Sequence, residues 1–132
     1  MPKEGGKTGA EGQPREIKER TFEFACRAIR LHRHVSKACP SSRDLSRQLL
    51  RSATSIGANL EEAHAAQTKA DFIAKASIAL KEARETLYWL RLLSATEETL
   101  QARLAPLVAE ANEIVAVLTA IEKKAQLRPK DR

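Results

Sequence analysis

Between Arg51 and Leu93 apolar and small residues recur three and four positions apart, with one interruption, at Thr68. That period places them along one side of an α-helix, whereas a half-buried strand would alternate at every second position. The first half carries a cluster of small residues, Ser52, Ala53, Ser55, Gly57 and Ala58. The second half runs Phe72, Ala76, Ala79, Leu80, Ala83, Leu87 and Leu90 along one face. Small side chains let a neighbouring backbone come close, so the pair predicts a tight antiparallel hairpin at the centre of a helical bundle.

The flanking segments follow the same rule. From about residue 15 to 38, Ile17, Phe24, Ala28, Leu31 and Val35 line one face, with Glu19, Glu23, Arg27, Arg30, His34 and Lys37 opposite. Pro40 ends this helix, and Ser41-x-x-Asp44 has the form of a capping box for a second helix over about 42–67, built on Leu45, Leu49, Ile56, Leu60 and Ala63. Thr68-x-x-Asp71 repeats the capping pattern and opens a third helix over about 69–94. Ser94 or Thr96 is placed to cap a fourth over about 97–126, where Leu100, Leu104, Leu107, Ala111, Ile114, Leu118, Ile121 and Ala125 keep a heptad rhythm. Pro106 is expected to kink or interrupt that helix. The expectation is an all-α, up-down-up-down four-helix bundle over residues 15–127, between a disordered N-terminal tail (1–14, rich in Gly and Pro) and a basic tail (128–132).

At 132 residues the chain suits one domain with a formal charge of +6. Such a balance fits a polyanionic partner, or simply a basic surface. The excess is local: residues 15–41 hold seven Lys and Arg against three Glu. Arg27, Arg30 and Lys37 point either to a phosphate-binding face or to cations complementing the C-terminal end of a helix dipole. Arg43, Arg47 and Arg51 form an i, i+4, i+8 stripe that either tracks phosphates or is a solvated face. On the third helix Ile78, Glu82, Glu85, Trp89 and Leu92 make a second stripe away from the core face, expected to meet another subunit; Ile78, Glu82, Trp89 and Leu92 are its candidate interface residues.

The sequence lacks the usual marks of an active site. His32, His34 and His64 have no metal-ligand spacing, no glycine-rich phosphate loop exists, and no nucleophile elbow surrounds Ser52 or Ser55. His32, at the edge of the apolar arc, reads as a satisfied core histidine. Neither a catalytic centre, nor a metal, nor a cofactor is expected. Cys26 and Cys39 stand apart and are expected reduced; without a signal-like leader or an apolar run of about 20 residues, the expected location is the cytoplasm, with no membrane partner.

Three segments, RSATSIGANLEEA (51–63), KADFIAKASIALKEARETLYWLRLL (69–93) and Pro40 with Leu45, Gln48 and Leu49, resemble the bacterial four-helix bundle proteins, also known as the intervening-sequence proteins of the 23S ribosomal RNA genes. The likeness covers about residues 15–125. It implies an up-down bundle that assembles as a homopentamer. It also implies kinship with the accessory protein of diversity-generating retroelements, which engages a reverse transcriptase and nucleic acid. Leu60 stands after Asn59 where the family often has an aromatic, and many members carry a Trp-Gln pair in the first helix, whereas this chain has Phe22 and Phe24 there. Residues and resemblance together lead to a non-enzymatic homo-oligomer that binds RNA or DNA backbone, or serves a nucleic-acid-processing partner. The other reading is a protein-interaction scaffold.

Overall fold

The structure is a computed structural model and describes residues 13–127, with side chains from Glu16 onward. Four helices follow one another: α1 Gln13–Ala38, α2 Arg43–His64, α3 Lys69–Thr96 and α4 Gln101–Leu127. Short 3-10 turns, Pro40–Ser42 and Glu98–Leu100, join α1 to α2 and α3 to α4. Each helix packs on its neighbours in sequence, and α1 closes on α4 more lightly than the others meet. This is the up-down-up-down bundle. The basic tail and most of the expected N-terminal tail lie outside the described residues; Gln13 and Pro14 already belong to α1.

The core is the set of faces read from the 3.6-residue period. Ile17, Phe24, Ala28, Leu31 and Val35 of α1 are buried, as are Leu49, Ile56, Leu60 and Ala63 of α2. α3 contributes Ala76, Ala79, Leu80, Ala83, Leu90 and Leu93, and α4 Leu104, Leu107, Ala111, Ile114 and Leu118. Leu45 and Leu87 lie at the rim of this cluster. Glu98–Leu127 is long and apolar enough to cross a membrane by length and composition. The sequence reading expected no such run. Its leucine seam is buried against the other helices, and Arg20 of α1 holds Glu110 on its flank.

The small-residue cluster divides between two partners rather than serving one hairpin. Ser52 faces α3, with the Thr86 hydroxyl 2.7 Å away, while Gly57 faces the backbone of α1 at Thr21. Ala58 is exposed.

The ends were read with mixed success. Thr68 accepts from the Asp71 amide at 3.0 Å, as its pattern predicts. The Ser41–Asp44 capping box does not form. Pro40–Ser42 winds into a 3-10 turn, α2 begins only at Arg43, and its cap residue Ser42 makes no side-chain capping bond. The Ser42 hydroxyl donates instead to Glu97, tying the two turns at this end of the bundle together. Ser94 and Thr96 do not cap α4, because α3 runs through both and the Thr96 hydroxyl turns back to the Leu92 carbonyl. α4 continues unbroken past Pro106, which stands near its start and exposed.

Candidate nucleic-acid interface

Antiparallel packing brings the C-terminal half of α1 beside the N-terminal part of α2. Arg30 and Lys37 therefore lie toward the same end of the bundle as Arg43 and Arg47, with Arg27 nearer the middle of α1. Arg30, Lys37 and Arg43 are exposed and Arg27 half-buried, and none of the four forms an ion pair among the described residues. Arg33 belongs to the same group, exposed and equally unpaired. Sequence reasoning passed over it, although its position three residues after Arg30 and four before Lys37 was the available signal.

The arginine stripe of α2 does not stand free along its length. Arg47 binds Asp44 within its own helix at 2.8 Å. Arg51 reaches across to α3, 2.7 Å from Glu85 and 3.5 Å from Glu82. The Glu85 hydrogen bond is the largest cause raising the Arg51 pKa. Of the three, Arg51 is thus committed to the α2–α3 seam, and Arg43 is the one left open. The sequence shows Asp44 but not that α3 turns two carboxylates toward α2.

His32 behaves as its place on the apolar arc predicts. It is half-buried, with Nδ1 against the buried Ser46 hydroxyl of α2. Burial first, then the charges of Arg47 and Arg43, hold its imidazole below the usual histidine value. Asn59 donates within α2 to the Ser55 carbonyl at 2.8 Å, a local satisfied amide.

Beside the Arg51 pairs α3 shows its second stripe. Ile78 is 39% exposed. Trp89 is half-buried at the edge of the core, its indole N–H donating to Glu85 at 3.2 Å. Glu82 and Leu92 are also half-buried. Tyr88, absent from the candidate list, is 52% exposed and packs edge-on against Trp89. It borders an open groove of about 420 Å³ between α3 and α4, lined also by Arg91, Leu92, Gln101 and Val108. Among the described residues no group of His, Cys, Asp or Glu could hold a metal ion, and Cys26 and Cys39 are free thiols. The chemistry this arrangement offers is cations for phosphate at one end and apolar surface on α3 and α4.

Two comparisons relate the chain to known proteins. The family model described as 23S rRNA-intervening sequence protein matches residues 14–120. A protein of unknown function from the S23 ribosomal protein family of Bacteroides thetaiotaomicron VPI-5482, known as a crystal structure, is 41% identical. The match spans 84% of this chain and 98% of that one, with a TM-score of 0.79. No curated protein matches the chain.

Proposed function

We propose that this chain, which belongs to the 23S rRNA-intervening sequence protein family, is a non-enzymatic, self-associating bundle that grips the phosphate backbone of RNA or DNA. The observation that carries this reading is the set of cations without an ion pair among the described residues, Arg30, Arg33, Lys37 and Arg43 toward the α1–α2 turn, with Arg27 nearer the middle of α1. Each can neutralise a phosphate without first leaving an acidic partner, and so releases counterions at low cost. Arg47 and Arg51 are weaker contacts, because Asp44, Glu82 and Glu85 already hold them. Self-association through the α3 stripe would multiply a formal charge of +6 and let weak contacts add. In this role the protein serves a nucleic-acid-processing partner in the cytoplasm.

The test is an RNA titration across a salt series. Wild-type affinity should fall steeply with salt. Replacing Arg30, Arg33 and Arg43 by Gln should lower the slope of log K against log salt by about 0.7–0.9 for each phosphate contact removed. Failure to bind RNA or DNA even at low salt overturns the reading. The second reading, a protein-interaction scaffold, then stands on the groove beside Tyr88 and the exposed Ile78.

A further inference from the structure

Near the α1–α2 turn one histidine rests on α2 between the positions of Arg43, which has no ion pair among the described residues, and Arg47, which Asp44 holds at 2.8 Å. Ser46, against which the ring rests, lies three residues beyond Arg43 and one before Arg47, and at 100° per residue both arginines leave α2 on the same flank of Ser46, one turn apart. Both arginines are exposed, and both act electrostatically on the ring. Asp44 engages Arg47, and Arg43 has no ion-pair partner among the described residues. From α1 itself the neighbours in sequence are Arg33 and His34, and the turn Pro40–Ser42 carries no charge. No carboxylate appears among the causes that shift the ring. Ser46 suits either protonation state, since its hydroxyl can donate to a bare Nδ1 or accept from a protonated one.

We propose that His32 is a proton-linked third cation of a phosphodiester seat formed with Arg43 and Arg47, so that nucleic-acid backbone bound at the α1–α2 turn draws a proton onto the imidazole. The inference rests on the nucleic-acid reading above and adds a regulation to it. In the free protein the ring resists protonation because it is partly buried and faces two positive charges. A phosphate on Arg43 and Arg47 cancels that repulsion and adds a negative charge beside the ring, which raises its pKa. Over the interval between the free and bound values the complex holds more protons than its parts. Affinity therefore rises as pH falls through that interval and is flat above it.

The experiment follows a fluorescein-labelled oligouridylate by anisotropy at constant low ionic strength, from about pH 8 down to about pH 5.5, the range over which histidine titrates. Wild-type affinity should rise on acidification, by up to about tenfold for each unit by which binding shifts the ring. His32→Gln, which keeps a hydrogen-bonding partner for Ser46, should lose the rise on acidification. His34→Gln and His64→Gln should keep it. NMR of the His32 ring protons should show a titration midpoint raised by the oligonucleotide. A rise that survives in His32→Gln, or a midpoint that does not move, overturns this inference alone. Absence of binding at every pH overturns the nucleic-acid reading with it.

Discussion

Thr86 shows what one hydroxyl does in a core of alanine and leucine. It is fully buried on α3, its hydroxyl 2.7 Å from that of Ser52, and each hydroxyl has one hydrogen, so the pair runs either from Thr86 through Ser52 to the Leu49 carbonyl at 3.1 Å or from Ser52 through Thr86 to the Glu82 carbonyl at 2.8 Å. Thr86→Val keeps the shape and removes the link, leaving Ser52 its carbonyl. The expected loss is about 1 kcal/mol of unfolding free energy, measured by urea denaturation. A loss below a few tenths would mean the pair is mere packing. Burial at these positions followed from spacing alone. The donor chain did not, because helical period reports the face on which a residue lies and not the partner it meets there. Arg51 makes the same point for charge: its place on a solvent-side stripe was legible, but its capture by Glu82 and Glu85, 31 and 34 residues away, was not.

Among the elements, α2 is distinguished by touching α1 and α3 through different small residues. A Cβ built on Gly57 lies 3.6 Å from the Thr21 hydroxyl and 3.8 Å from its backbone, ordinary van der Waals contact. The glycine is therefore not demanded by close approach. Alanine there should gain helix propensity without a clash, so Gly57→Ala is expected to raise stability by up to about 1 kcal/mol in thermal or urea unfolding. A destabilised variant would show that α1 and α2 pack closer than this. The lightest seam, α1 with α4, carries a two-pronged bridge, Arg20 Nε to Glu110 at 2.7 Å and Nη2 at 3.2 Å. Glu110→Gln should cost about 0.5–1 kcal/mol, with the loss shrinking as salt is added. The element ends were the least legible feature. Ser41, Ser94 and Thr96 all have the chemistry to cap a helix, yet continuation of α3 to Thr96 and the Ser42–Glu97 link across the bundle end displaced them.

For the molecule as a whole, the cations without an ion pair among the described residues include Arg30, Arg33, Lys37 and Arg43 toward the α1–α2 turn and the exposed Arg84, Arg91 and Arg103 of α3 and α4, while Phe22 on α1 and Ile78 and Tyr88 on α3 are exposed apolar side chains. Trp89 leans on the core and is a poor site for a charge, whereas Ile78 and Tyr88 can be changed without opening the bundle. If the α3 stripe holds copies together, Ile78→Glu with Tyr88→Glu should lower the mass measured by light scattering toward that of one chain, with helical circular dichroism unchanged. An unaltered mass would place the contact elsewhere.

The sequence by itself determined four helices, their order and their buried faces, because helical period is a local property and burial of an apolar stripe follows wherever the helix packs. Only the tertiary structure decided which polar groups meet: Arg51 with Glu82 and Glu85, Ser42 with Glu97, His32 with Ser46. Those meetings depend on the rotation of each helix about its axis and on its axial offset from the next. Both are set by packing summed over the whole core, and no window of the chain contains them.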